Sequence, residues 1–148
     1  MKTQEVKEII EKILSLLGVS GDVEMEEREN SVYAEITNTD SGLLIGFKGE
    51  TLKALQHLMR LIIFSKLGEE APNVVIDVEG YRKDEEERLR SYIIKVAEIV
   101  KETGKQEELS PATSYKRMLI HTYVQEVPGV ISESIGEGAE RRIVIKPE

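Results

Sequence analysis

The sequence predicts an α+β chain of two small domains, each a three-stranded sheet with helices packed on one face. Three observations predict it. Apolar residues recur at helical spacing in some segments and alternate with polar ones in others, so both kinds of element are present. The order helix, strand, strand, short helix, helix, strand is complete within residues 1–80, and a long charged helix then opens a second series. A length of 148 residues with 40% hydrophobic side chains suits one domain or two small ones.

The elements follow in order. Val6, Ile9, Ile10, Ile13 and Leu17 keep the 3.6 period and make 3–17 an amphipathic helix, ended by Gly18 and Gly21. Residues 23–27 form a short strand, and Glu29 and Asn30 mark a turn. Val32, Ala34 and Ile36 alternate with polar neighbours, which gives a second, antiparallel strand. Asp40 and Ser41 cap a short helical turn ending at Gly46. Beyond Gly49, Leu52, Leu55, Leu58, Met59, Ile62 and Ile63 mark the buried face of a helix reaching Lys66. Gly68 and Pro72 close it, and Val74, Ile76 and Val78 make a third strand. The second domain spans 81–148. Its first helix, 81–103, connects the two domains, carries Leu89, Ile93, Val96, Ala97 and Val100 on one face, and stops at Gly104. Residues 105–109 are a short strand. Ser110 and Pro111 open another helix, with proline in the first position. That helix buries Tyr115, Met118, Leu119 and Tyr123 and ends near Glu126, before Pro128 and Gly129. Residues 130–135 and 141–145 form a hairpin turned at Gly136 and Gly138.

Composition narrows the chemistry. The absence of cysteine excludes disulfides and thiolate metal sites. His57 and His121 are far apart and match no zinc motif, so no metal or other cofactor is expected. No apolar run reaches the ~18 residues of a membrane helix, and the N-terminus lacks the apolar core of a signal peptide. A cytoplasmic protein without membrane insertion is expected. The net charge of −8 speaks against nucleic acid, whose affinity comes from Lys and Arg. The distribution speaks differently. Residues 1–45 hold 4 basic and 10 acidic side chains, whereas residues 81–148 hold 12 and 13. Between 46 and 66, Lys48, Lys53, Arg60 and Lys66 face Glu50 alone. The local field decides at a phosphate site. The acidic run 84–87 begins a helix, where carboxylates complement the dipole.

Two segments carry chemistry. In Gly46-Phe47-Lys48-Gly49, glycine allows positive φ and close approach of a ligand. A loop that opens directly into a helix offers free N–H groups and the positive end of the dipole. Lys48 adds a mobile cation, and the whole suits an anion. The same glycines also suit a tight helix–helix turn. The spacing of Gly42, Gly46 and Lys48 is wrong for a P-loop, and no strand feeds the turn. Ile45-Gly46-Phe47-Lys48-Gly49, followed by Glu50-Thr51-Leu52 and Ala54-Leu55-Gln56 and set between two helices, resembles the KH domain in its bacterial type II order over residues 1–80. The resemblance implies a loop that clamps a nucleic-acid backbone and a groove beside it for a short single strand. Phe47 departs from the polar or basic residue usual there. It would stack on a base or serve a protein contact.

In the second segment Arg117 and His121 stand one helical turn apart. Ser114, Arg117, His121 and Gln125 fall within an arc of roughly 80° and are expected to be exposed together. Arginine can grip phosphate bidentately. Lys116 lies nearby, and Arg141 and Arg142 could reach the same side. The series Ser110-Pro111, Tyr115-Lys116-Arg117-x-x-x-His121, Pro128-Gly129-Val130 and Ser134-x-Gly136-x-Gly138-x-x-Arg141-Arg142-Ile143-Val144-Ile145-Lys146-Pro147 resembles the single-strand-binding R-three-H (R-x-x-x-H) domain over 81–148. A KH unit followed by this unit resembles the bacterial Jag family (SpoIIIJ-associated proteins, also called KhpB or EloR). Many members carry a further N-terminal domain, which this sequence, beginning at the first KH helix, is expected to lack.

The resemblance implies a non-enzymatic, regulatory, RNA chaperone-like binder of single-stranded RNA linked to cell elongation and division. Single-stranded DNA remains an alternative ligand, and a KH-only protein or a second copy is the expected protein partner. The expected nucleic-acid-binding residues are Gly46, Phe47, Lys48, Gly49, Lys53, Lys116, Arg117, His121, Arg141 and Arg142. The competing reading is an interaction or dimerisation module that uses the KH loop and binds little nucleic acid. A hydrolase has the least support, because no nucleophile or acid partner accompanies His121.

Overall fold

The computed structural model describes residues 2–148. Their internal contacts divide the chain into two units, the first ending at Lys83 and the second spanning Asp84–Glu148.

The first unit opens with helix α1, Thr3–Leu16. Strands β1, Asp22–Arg28, and β2, Ser31–Thr37, then pair antiparallel across the turn at Glu29 and Asn30. The short helix α2, Ser41–Ile45, begins at Asp40, whose carboxylate accepts the Leu43 N–H at 3.3 Å. Helix α3, Glu50–Leu67, carries the chain back, so strand β3, Asn73–Val78, joins β2 in parallel. The order is β1-β2-β3. Burial alternates along β2, with Val32, Ala34 and Ile36 inward. Together with Val74, Ile76 and Val78 they form the sheet's inner face. Val6, Ile10 and Ile13 of α1 and Leu52, Met59 and Ile63 of α3 are buried in the same core. Each such side chain contributes roughly 1.5–3 kcal/mol by leaving water.

Helix α3 departs from the expected pattern. Leu58 is exposed, and the buried Gln56 takes an inward place instead. Leu58 stands about 100° around the helix from Met59, outside the arc that faces the sheet. Gln56 is inward because it completes the free edge of β3. Its Nε2 donates to Val74 O at 2.5 Å, and its Oε1 accepts the Ile76 N–H at 2.6 Å.

Helix α4, Tyr81–Thr103, starts within the first unit and continues into the second. Tyr81 packs on the first core, and the Arg82 N–H donates to the buried Asp77 at 3.0 Å. In the second unit the strands are β4, Glu107–Glu108, β5, Val130–Ile135, and β6, Arg142–Pro147. They form an antiparallel sheet in the order β4-β6-β5. Helix α5, Ser114–Val124, lies between β4 and β5 in sequence. The core joins Ile93, Ala97 and Val100 of α4, Ile120 and Val124 of α5, and Ile143 and Ile145 of β6.

Helix α5 corrects two expectations. It starts at Ser114, not at Pro111, because the segment before it bonds to the sheet. The Ala112 N–H donates to Arg141 O at 3.2 Å, and the Thr113 hydroxyl accepts the Lys116 N–H at 3.3 Å as the N-cap. Tyr115 and Met118 are exposed, since the inward arc belongs to Ile120 and Val124. No helix among the described residues is long and apolar enough to cross a membrane.

Candidate nucleic-acid interface

The loop between α2 and α3 has positive φ at three of its four residues. Gly46, Lys48 and Gly49 have φ of 70°, 53° and 77°. Two close contacts make the glycines necessary beyond their φ. A Cβ on Gly46 would lie 2.1 Å from Thr51 Oγ1, and one on Gly49 would lie 2.8 Å from Tyr81 Cε1. Thr51 and Tyr81 therefore floor the loop from behind. No side chain caps α3; the Glu50 N–H donates to Phe47 O, and the positive end of the helix dipole faces the loop. Phe47 is 76% exposed, and the Lys48 ammonium lies 5.3 Å from its ring centroid, a cation–π arrangement. Lys53, one turn into α3, is exposed. The five expected residues of this unit thus stand on one loop and the helical turn that follows.

In the second unit the start of α5 and the turn before β6 enclose an open hollow of about 600 Å³, lined by Pro111, Thr113, Ser114, Arg117, Gly138 and Arg141 among others. Arg117 donates from Nη1 to Ala112 O at 2.6 Å, and Arg141 from Nη1 to Gly136 O at 2.8 Å. Main-chain carbonyls thus fix both guanidiniums, and neither forms an ion pair among the described residues. Lys116 is exposed.

His121 differs from its expectation. It is half-buried, with Nδ1 2.7 Å from Ser132 Oγ and Nε2 3.1 Å from Ser134 Oγ. A neutral imidazole can donate to one hydroxyl and accept from the other. Among the described residues no hydrogen bond joins the ring to a carboxylate, and no cluster of three His, Cys, Asp or Glu could hold a metal. Arg117 is also half-buried, so the pair is built into the surface and does not project from it. Arg142 stands apart. Ile143 and Ile145 take the core face of β6, which turns Arg142 to the other face. There it pairs with Glu108 and donates to Glu140 O at 2.9 Å.

Sequence reasoning gives no structural role to Thr51, Tyr81, Thr113, Ser132 or Ser134. The serines had a legible signal: residues two apart on a strand share a face. The roles of Thr51 and Tyr81 depend on Cβ distances that no pattern shows. Elsewhere some carboxylates are drawn into ion pairs. Hydrogen bonding to Arg90 holds Glu126 below the usual carboxylate range, and Lys146 does the same for Glu133.

Comparison with known proteins matches the two units to two domain families. The family model described as the KH domain of KhpA/KhpB matches residues 3–78, and that of the R-three-H domain matches residues 87–147. The RNA-binding protein KhpB of Bacillus subtilis is 33% identical over 96% of this chain and 69% of its own length. The chain belongs to the KhpB family. Another KhpB, of Clostridium symbiosum, is 31% identical over 93% of this chain, and that of Streptococcus pneumoniae is 28% identical over 97%. The chain spans 63% and 44% of those two KhpB proteins. In this KhpB-family member, the glycine loop lies within the KH match and Arg117 and His121 lie within the R-three-H match.

Proposed function

We propose that this chain binds single-stranded RNA and performs no chemistry on it. The observation that carries the reading is the hollow at the start of α5. In a chain of net charge −8, Arg117 and Arg141 line one cavity without a carboxylate partner among the described residues. Guanidiniums placed this way are unspent positive charge at a helix N-terminus, which is phosphate chemistry. The KH loop supplies a second grip. Gly46 and Gly49 keep its backbone open, Lys48 and Lys53 bring charge, and Phe47 offers a face for a base. Lys116 and His121 complete the second site, His121 as a ring fixed beside Arg117. Arg142 serves the sheet through Glu108. The printed names of the relatives, RNA-binding protein KhpB, support RNA as the strand.

Titration of a labelled single-stranded RNA across a salt series tests this. Affinity is expected to fall as salt rises, by about 0.7 in log Kd per log unit of salt for each phosphate contact. Phe47→Asp/Lys48→Asp and Arg117→Ala/Arg141→Ala are each expected to weaken binding about tenfold or more at low salt. Wild-type affinity in both doubles would overturn the proposal, and so would no binding at low salt.

One observation favours a protein contact in addition. The outer face of α3 exposes Leu58, Leu61 and Phe64 by 46, 55 and 61%. An apolar stripe on a helix whose opposite face is already in the core suits a second KH unit, and we assign it to a second copy of this chain.

A further inference from the structure

The main-chain hydrogen bonds of the glycine loop are local. The Gly46 N–H donates to Gly42 O at 3.0 Å, the Gly49 N–H to Gly46 O at 3.4 Å, and the Glu50 N–H to Phe47 O. Such bonds set the loop's shape, while its place on the unit comes from packing. A binding group whose support is about 1 Å too loose loses much of its grip. Phe47 and Lys48 are exposed, so the loop rests on its two half-buried glycines. Beneath Gly46 is Thr51, which belongs to the first turn of α3 and travels with the loop. Beneath Gly49 is Tyr81, which follows β3 and opens α4. A Cβ on Gly49 would lie 2.8 Å from Tyr81 Cε1, 3.1 Å from the hydroxyl oxygen and 3.3 Å from Cζ. The hydroxyl edge of the ring thus fills the place of a side chain.

The backbone that delivers this ring is fixed residue by residue. Glu79 and Gly80 have φ of 46° and 72° and turn the chain from β3 into α4. Glu79 carries a Cβ, so this backbone costs roughly 1–2 kcal/mol there and persists only where the surroundings over-determine it. The sheet supplies that excess of constraint. The Glu79 N–H donates to Ile36 O at 3.0 Å, and the Gly80 N–H to the Glu35 carboxylate at 2.6 Å. The Arg82 N–H donates to Asp77 at 3.0 Å, and Arg82 Nε to Ile76 O at 2.8 Å. Glu35 and Asp77 are partners in the register of β2 and β3, so two carboxylates stand side by side. Burial, and with it the Asp77 charge, pushes the Glu35 carboxyl up. One carboxylate is enough to cap a helix. A second, held beside it against their repulsion, pins the residue before Tyr81 as the first pins the residue after it. Tyr81 itself is half-buried and packs on the first core.

We propose that Tyr81 is the positioning residue of the glycine loop: its ring, tied to the sheet by the turn at 79–82, holds Gly49 in place and so sets where Phe47 and Lys48 meet a single strand. Tyr81 acts through the loop and makes no contact with RNA. The inference rests on the RNA-binding reading and deepens it. A double-mutant cycle tests it, with the full chain titrated against a labelled single-stranded RNA at low salt, well below Tm. Lys48→Ala and Arg117→Ala are each measured in wild type, in Tyr81→Leu and in Tyr81→Phe. Leucine keeps apolar bulk for the core and removes the ring from beneath Gly49. Tyr81→Leu is expected to weaken binding about fivefold, and Lys48→Ala to cost several-fold in wild type but less than about twofold in that background. Arg117→Ala should cost the same in both. Tyr81→Phe keeps the ring and should restore most of the affinity and the full effect of Lys48→Ala. A side chain that only stabilises the fold would lower Tm and leave the effect of Lys48→Ala undiminished. That result overturns the proposal while the RNA reading stands, and so does a Tyr81→Leu that erases the effects of Lys48 and Arg117 alike. Should Tyr81→Leu not fold, Gly80→Ala gives the same reading. A Cβ there meets nothing within 4 Å, so it strains the turn that carries Tyr81 without touching the loop. The effect of Lys48→Ala is expected to shrink in Gly80→Ala, and an undiminished effect overturns the proposal. If wild type binds no RNA at low salt, the RNA reading fails and the positioning role with it.

Discussion

Lys48 adopts left-handed backbone, φ 53°, between glycines that share its sign of φ. A residue with a Cβ costs roughly 1–2 kcal/mol there, and glycine would hold the turn with less strain. The fold gives no reason for lysine at this position, whereas a cation beside the uncapped start of α3 does. Lys48→Gly is therefore expected to leave Tm unchanged or a few degrees higher and to weaken RNA binding several-fold. A thermal scan beside a titration checks it. A lower Tm with unchanged affinity would assign Lys48 to the fold instead. The neighbouring glycines have the opposite logic. Thr51 and Tyr81 occupy the space a side chain would need, so strain and contact both demand glycine at 46 and 49.

Helix α3 shows how an element divides its duties. Its inner face holds the core, its side towards β3 closes an open edge, and its outer face is apolar and bare. Gln56 is the joint between the first two. Gln56→Leu would strand the Ile76 N–H without its acceptor, at a cost of about 1–3 kcal/mol. Hydrogen exchange at Ile76 is expected to speed up more than at Ala34 in the sheet interior; equal effects would show that Gln56 only fills space. The order of elements was legible because periods of 3.6 and 2 differ sharply, and the strands of the first unit matched to within a residue or so at each end. Leu58, Tyr115 and Met118 were misplaced for a common reason. Periodicity shows that apolar residues recur, and a helix with such residues on two sides has no unique inner face until the sheet is in place. The helix start at Ser114 was hidden likewise, since it depends on Ala112 pairing with the distant Arg141. The glycine loop and the Arg117–His121 spacing stood out as local patterns, while the serines flanking His121 required the pairing of α5 with β5.

A chain with weak grips in two units gains affinity when one strand occupies both, because the second contact becomes intramolecular. Association of two copies through α3 would multiply the grips again. Leu58, Leu61 and Phe64 recur at three-residue spacing along α3, so the same helix of a second copy could meet them in a self-complementary, isologous contact. Such a contact would bury apolar surface on a helix that carries neither Arg117 nor Arg141. It therefore makes a prediction that separates assembly from binding. Leu61→Asp/Phe64→Asp places two carboxylates on an exposed face, so the fold should survive with Tm within a few degrees. Sedimentation across a concentration series should then give a monomer where wild type gives a dimer. Affinity for an RNA just long enough for one grip should stay within about twofold, since no grip has changed. Affinity for a long RNA should fall by about tenfold or more, because the added valency is gone. A wild type that remains monomeric at every concentration would remove the assembly. A monomeric variant that binds long RNA as tightly as wild type would leave the stripe as a protein contact with no part in holding RNA.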